Sequence, residues 1–132
     1  MLGRLLAQLR ELGSARVLVV DDILANVKLL EARLTAEYFE VVTAYSGAEA
    51  LGKMEASDPD IILLDVMMPH LDGYAVCRVL KADAATAAIP VIFITALTDS
   101  QDETAGFDVG AVDYITKPVS PPVVRARVRT HL

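Results

Sequence analysis

Three aspartates stand directly after apolar runs of strand length, where a charged side chain is costly unless a polar site receives it. Asp21 and Asp22 follow the apolar residues 17–20, and Asp65 follows the apolar residues 61–64. If the two runs form neighbouring parallel strands, the three carboxylates meet at one edge of a sheet and repel one another. A divalent cation relieves that repulsion, and oxygen ligands alone favour Mg²⁺. The alternative is that these acids cap the helices that follow the strands.

A hydroxyl group and an ammonium group end two further runs. Thr95 closes the apolar residues 91–94, and Lys117 follows the strand-like residues 111–116. Alone, Thr95 is an ordinary strand residue and Lys117 a surface lysine before a proline, a position that permits a cis peptide bond. Together with a metal and a carboxylate they describe phosphoryl transfer to an aspartate, with Asp65 as nucleophile. The sequence lacks GxxxxGK(S/T), so we expect the donor to be another protein or a small phosphodonor.

The order of apolar runs and helical periodicities predicts the elements that must position these residues. Strand-length runs alternate with longer stretches of helical period, which is typical of a parallel sheet. We expect strands at residues 16–20, 41–44, 60–65, 90–95 and 111–116, and helices at residues 24–37, 48–56 after an N-cap at Ser46, 73–82, 101–109 before Gly110, and after Pro121-Pro122. Five strands and five helices make an α/β, doubly wound five-stranded parallel sheet, which binds ligands at the carboxyl ends of its strands.

Composition bounds the domain organisation and the compartment. The chain has 132 residues, a formal charge of −6 and one cysteine, Cys77, expected to pack within a helix. We therefore expect one domain, no autonomous nucleic-acid binding and a reducing, cytoplasmic environment. No apolar run approaches the roughly 20 residues of a membrane span. The arginines at positions 125, 127 and 129, and His131, are expected to be solvated.

The first residues have a pattern of their own. Leucines at positions 2, 5, 6, 9 and 12 recur at helical spacing, which is typical of an amphipathic helix. We expect residues 1–15 to be an amphipathic linker or helical extension and residues 16–132 to be the domain. The extension is either a simple linker or a helix for dimerisation or docking.

Four motifs, in this order, resemble those of response-regulator receiver domains of two-component signalling: VLVVDD, IILLDVMMPHLDG, VIFITA and DYITKP. The resemblance covers residues 16–132 and implies the flavodoxin-like receiver fold. It also implies roles for seven residues: Asp65 as phosphoacceptor; Asp21, Asp22, Asp65 and the backbone carbonyl of Met67 as Mg²⁺ ligands; Lys117 as a contact of the phosphoryl group; and Thr95 and Tyr114 as switch residues.

The same resemblance implies a phosphorylation-operated signalling switch that is not an enzyme, beyond assisting its own phosphorylation and dephosphorylation. Its donor would be a sensor histidine kinase or a phosphotransfer protein. The face formed by the fourth helix, fifth strand and fifth helix would then change its affinity for a partner or for a second copy in a homodimer. The end of the chain is similar to receivers joined to cyclic-di-GMP enzymes or sensor kinases, which predicts an isolated module or a fragment with an effector domain.

Two other functions stay open at this point. An aspartyl-phosphate hydrolase would also use a nucleophilic aspartate and Mg²⁺, but such enzymes typically carry a second acid two residues later, where this chain has Met67. A degenerate receiver that serves only as a scaffold is opposed by the complete set of acids, hydroxyl and lysine. The bulky apolar residues Met67 and Leu97 further predict slow self-dephosphorylation.

Overall fold

The computed structural model describes residues 15–96 and 105–132. Their elements are, in chain order, β1 (Arg16–Val20), α1 (Leu24–Ala36), β2 (Glu40–Ala44), α2 (Gly47–Ser57), β3 (Ile61–Asp65), α3 (Gly73–Ala82), β4 (Val91–Thr95), α4 (residues 105–108), β5 (Asp113–Thr116) and α5 (Pro121–His131). The amphipathic pattern of residues 1–14 and part of the helix expected at 101–109 lie outside the described residues, as does Leu97.

The five strands form one parallel sheet in the order β2-β1-β3-β4-β5. The order reverses at β1, which pairs with β2 on one side and with β3 on the other. Sheets of this kind bind ligands at the carboxyl ends of the strands beside such a reversal. The expected doubly wound parallel sheet with five helices is therefore confirmed. We expect a ligand site at the carboxyl ends of β1 and β3.

The central strands are buried because helices cover both faces of the sheet. Every residue of β3 and β4 is buried. Alternate residues point to opposite layers: Val19 and Leu63 pack in the layer with α1 and α5, whereas Leu18 and Leu64 pack in the layer with α2 and α3. Each fully buried aliphatic side chain contributes roughly 1.5–3 kcal/mol. This burial offsets the cost of placing charges at the strand ends.

The start of α2 shows how local sequence sets the bounds of an element. Ser46 Oγ accepts a hydrogen bond from the backbone N–H of Glu49 (3.0 Å), and Glu49 Oε1 accepts one from the backbone N–H of Tyr45 (2.6 Å). Both bonds satisfy donors that the helix itself leaves without partners. The expected N-cap at Ser46 is confirmed, and the helix begins at Gly47, one residue earlier than predicted.

β5 is shorter than the sequence predicted, since it begins at Asp113 and not at residue 111. Gly110 has a φ of +103°, in the region that favours glycine, and the backbone N–H of Ala111 donates to the carbonyl of Gly106 (3.2 Å). The chain is thus still closing the end of α4 at residue 111 and enters the sheet only after this turn. Gly110 does end the helix, as expected.

Charged residues of α5 are paired with acids on neighbouring elements. His131 Nε2 lies 2.8 Å from Asp113 Oδ2 at the start of β5. Three further ion pairs join α5 to Glu37, which directly follows α1, and to β5: Arg125–Glu37, Arg129–Glu37 and Arg127–Asp113. The three arginines are exposed, as predicted, although each also pairs with an acid, whereas His131 is half-buried and was wrongly expected to be solvated. Each exposed pair is worth at most about 1 kcal/mol.

Two expectations from the composition concern individual helices. Cys77 is fully buried within α3, as expected for a packed helix residue. Its Sγ lies 3.4 Å from the carbonyl oxygen of Val109, where it donates a weak hydrogen bond. Among the residues that the structure describes, no helix has both the length and the apolar character needed to cross a bilayer.

Candidate functional site

Neighbouring central strands bring the three predicted acids together. Asp65 is the last residue of β3, and Asp21 directly follows β1, in which Val20 pairs with Leu64. Asp21 and Asp65 are buried, each 3 % exposed, whereas Asp22 is exposed. One carboxylate oxygen from each of the three aspartates lies within 4.8 Å of the other two. The fold thus gathers three carboxylates at one edge of the sheet.

The helix-capping alternative describes only part of this arrangement. Asp21 Oδ1 accepts a hydrogen bond from the backbone N–H of Ile23 (2.9 Å), which precedes α1. Within the described residues Asp22 makes no capping hydrogen bond, and the N-cap residue Ile23 makes none through its side chain. Capping therefore accounts for one oxygen of Asp21 and leaves Asp22 and Asp65 unexplained.

Lys117 joins the two buried acids from the end of β5. Its Nζ lies 3.2 Å from Asp65 Oδ1 and 3.3 Å from Asp21 Oδ2. Burial works against the charged form of this amine, but the carboxylates of Asp65 and Asp21 outweigh burial and raise the pKa of Lys117 above its usual value. Lys117 therefore carries its positive charge within the acidic cluster. The peptide bond between Lys117 and Pro118 is cis, as the sequence permitted.

The surroundings of Asp65 disfavour its charged form. Burial raises the pKa of Asp65 to about 6, the Asp21 carboxylate adds to the rise, and Lys117 opposes it. A carboxylate in this situation gains strongly from a bound cation. Because the donors are carboxylate oxygens, the residues present fit a hard divalent ion such as Mg²⁺.

The turn after β3 holds Asp65 in place through a close backbone contact. The backbone N–H of Gly73 donates to the carbonyl of Val66 (2.9 Å). A Cβ atom at position 73 would lie 2.4 Å from the backbone oxygen of Asp65 and 2.9 Å from Cα of Val66, so only glycine fits without a shift. Met67 follows in the same turn with its side chain 63 % exposed.

The predicted switch residues lie on β4 and β5. Thr95 is the last residue of β4 and is fully buried, and its backbone oxygen accepts a hydrogen bond from the N–H of Lys117 (2.7 Å). Tyr114 is buried on β5, where its ring packs edge-on against Phe93 at a centroid distance of 6.3 Å. The two residues thus occupy adjacent strands: Thr95 lies at the strand end beside Lys117, and Tyr114 lies further inside the sheet, where it pairs with Phe93.

Sequence reasoning missed one residue at this edge. Asn26, in the first turn of α1, donates from Nδ2 to Asp21 Oδ2 (3.1 Å). An amide one helical turn after an acidic pair was the available signal.

Comparisons with known proteins agree with the geometry. Residues 17–129 match the family model of the response regulator receiver domain. The chain belongs to that family. The response regulator PleD of Caulobacter vibrioides is 57 % identical over 117 residues, which cover 89 % of this chain and 26 % of PleD. A probable cyclic di-GMP phosphodiesterase of Vibrio cholerae is 40 % identical over 124 residues, covering 94 % of this chain and 28 % of that protein.

Solved structures confirm the receiver fold. The Vibrio cholerae chemotaxis protein CheY4 superposes with a TM-score of 0.86 at 28 % identity, covering 90 % of this chain and 99 % of CheY4. Receiver domains are generally signalling modules and not enzymes, and the three-aspartate cluster of this one fits the magnesium site of the family. The receiver domain spans about a quarter of the length of PleD and of the phosphodiesterase that it matches.

Proposed function

We propose that this receiver domain is a phosphorylation-operated switch and that Asp65 accepts the phosphoryl group. The observation that carries the proposal is the surroundings of Asp65 at the carboxyl edge of the sheet. Lys117 Nζ lies 3.2 Å from its Oδ1, and oxygens of Asp21 and Asp22 lie within 4.8 Å of one of its own. A nucleophilic carboxylate, a fixed cation and a set of metal-binding oxygens are the groups that transfer to an aspartate requires.

In the proposed reaction a carboxylate oxygen of Asp65 attacks the phosphorus of a phosphohistidine on a sensor histidine kinase or phosphotransfer protein. The new P–O bond forms as the P–N bond breaks, and the electron pair of the P–N bond leaves with the imidazole. Solvent then protonates the imidazole. The product is an acyl phosphate on Asp65, whose added negative charge lies beside the Lys117 ammonium group.

The proposed Mg²⁺ ligands are Asp21, Asp22, Asp65 and the backbone carbonyl of Met67. When bound, the ion neutralises charge on the transferred group. Lys117 is proposed to contact the phosphoryl oxygens as a second positive charge. Thr95 is proposed to donate its hydroxyl hydrogen to the same group, from a strand end next to β5.

We propose that Thr95 and Tyr114 carry the signal away from Asp65. Reorientation of Thr95 toward the phosphoryl group would free space for Tyr114, whose ring packs against Phe93. The face formed by α4, β5 and α5 would then change its affinity for a partner by a shift between two populated states. Tyr114 belongs to this face because it lies on β5.

The partners are proposed from the family and from the length of the relatives. PleD and the probable phosphodiesterase are both about four times longer than the matched region, which supports an effector domain in a longer chain. A homodimer through the face of α4, β5 and α5 is the other proposed readout. The charge of −6 supports action without direct contact with nucleic acid or the membrane. A cytoplasmic location is proposed because a single cysteine suits a reducing compartment. Residues 1–15 are proposed as a linker or helical extension before the domain at 16–132.

The test is phosphorylation by a small acyl phosphate with Mg²⁺, followed by intact mass. Wild type should gain one phosphoryl group, and Asp65→Asn should gain none. Asp108→Asn, which alters an exposed aspartate of α4, is the matched control and should behave as wild type. An adduct on Asp65→Asn equal to that on wild type would refute the assignment. Turnover of small phosphomonoesters would instead support a hydrolase.

The same samples test the readout by size-exclusion chromatography. A change of size confined to phosphorylated wild type would identify dimerisation. An unchanged size would exclude dimerisation as the readout and favour a partner or an effector domain.

A further inference from the structure

Both carboxylate oxygens of Asp21 already accept hydrogen bonds from the protein. Oδ1 accepts one from the backbone N–H of Ile23 (2.9 Å), whereas Oδ2 accepts one from Asn26 Nδ2 (3.1 Å) and one from Lys117 Nζ (3.3 Å). Each carboxylate oxygen offers about two lone-pair positions. Oδ2 is therefore fully used, and Oδ1 keeps one position for a further partner.

Asn26 makes its contact from the first turn of α1. The backbone N–H of Asn26 donates to the carbonyl of Ile23 (3.0 Å), which fixes the turn from which the side chain reaches Asp21. Asparagine near a helix start usually serves as a cap. Here the N-cap position is Ile23, so the Asn26 amide does not cap the helix and instead binds the acid.

We infer that Asn26 is a positioning residue for the proposed metal site. Its amide holds Oδ2 of Asp21 and leaves Oδ1 as the oxygen with capacity for a cation or for water bound to a cation. Asn26 acts through Asp21 and does not touch the reacting atoms. The inference rests on the proposed function, because Asn26 has this task only if Asp21 serves Mg²⁺.

A neutral donor suits this position better than a charged one. Lys117 already places one positive charge 3.3 Å from Asp21 and 3.2 Å from Asp65. A second cationic side chain would oppose the approach of a divalent ion by Coulomb repulsion. An amide provides a directional hydrogen bond without adding net charge. Residues that orient metal ligands in this way typically contribute about 10- to 100-fold to metal affinity.

The experiment is a calorimetric Mg²⁺ titration of the unphosphorylated protein, with urea unfolding in EDTA measured on the same samples. Asn26→Ala and Asn26→Leu remove the donor, and Leu also favours the helix. Both variants should raise the Kd for Mg²⁺ about 10-fold or more. Asn26→Gln keeps an amide on a longer side chain and should recover part of the affinity. Thr35→Ala, at an exposed position of the same helix, should leave the Kd unchanged.

Three results would overturn the inference alone. One is a Kd within twofold of wild type for either donor-less variant that folds, and another is an equal loss in Thr35→Ala. The third is a loss of stability in EDTA without a change in Kd, which would make Asn26 a structural residue. A wild-type protein that binds no Mg²⁺ would instead refute the proposed metal site, and the inference with it.

Discussion

Replacement of Asp65 by asparagine should stabilise the metal-free receiver domain above pH 6. Burial, and then the charge of Asp21, raise the pKa of Asp65 from 3.8 to about 6. Because the pKa of this acid is higher in the folded than in the unfolded protein, the native state binds more protons between the two values. Ionisation of Asp65 therefore lowers the free energy of unfolding as the pH rises through this window, and the loss is complete above it.

The size of the effect follows from the same two values. The difference between 3.8 and about 6 corresponds to about 3 kcal/mol of unfolding free energy at neutral pH. Asparagine has nearly the shape of aspartate and no charge, and its oxygen can still accept a hydrogen bond from Lys117. The variant should therefore be more stable than wild type by up to about 3 kcal/mol at pH 7.5, and the two proteins should converge as the pH falls toward 4.

The assay is urea unfolding followed by circular dichroism in EDTA, at a series of pH values. The difference between wild type and Asp65→Asn isolates Asp65, because the other carboxyl groups titrate in both proteins. Asp108→Asn should show no comparable gain, since that aspartate is exposed. The reasoning is refuted if Asp65→Asn is no more stable than wild type at pH 7.5, or if the two differ equally at high and low pH.

Two further predictions concern the turn after β3. Gly73→Ala should lower the free energy of unfolding by about 1–3 kcal/mol because its Cβ would lie 2.4 Å from the backbone oxygen of Asp65. Gly52→Ala, where nothing lies within 4 Å, should instead raise it by about 0.5–1 kcal/mol, and urea unfolding of both variants checks the contrast. Met67→Asn should speed loss of the phosphoryl group by replacing an exposed apolar side chain with one that binds water, as intact mass over time would show. A phosphoryl half-life of seconds for wild type with Mg²⁺ would contradict the prediction that Met67 slows self-dephosphorylation.

Much of the fold could be predicted because strands that are buried in the sheet consist mostly of apolar residues. β3 and β4 read as unbroken apolar runs, and the structure buries both on two faces. Ser46 and Gly110 gave the start of α2 and the end of α4, since capping and positive φ are local properties. The meeting of Asp21 with Asp65 followed from one assumption, that β1 and β3 are neighbours.

Features that depend on distances between elements could not be predicted. Asn26 stood one helical turn after an acidic pair, but only the path of the turn between β1 and α1 places its amide 3.1 Å from Asp21. His131 and Asp113 are 18 positions apart, and their 2.8 Å contact depends on the path of α5 across the sheet. The late start of β5 depends on the turn that ends α4, in which the N–H of Ala111 donates to the carbonyl of Gly106. In each case a short-range pattern allowed several outcomes, and packing selected one.

Stability and metal affinity should oppose each other at this site. Burial, and then repulsion by Asp21, raise the pKa of Asp65 in the folded, metal-free protein, since only folding buries Asp65 and brings it next to Asp21. A cation that binds the native state alone stabilises it by RT ln(1 + [L]/Kd), which offsets the cost of the buried, ionised Asp65. Asp65→Asn, which removes this carboxylate, should therefore gain stability in EDTA and gain less than wild type on addition of Mg²⁺. Asn26→Ala should not follow this relation, because it leaves all three charges in place and changes only the orientation of Asp21.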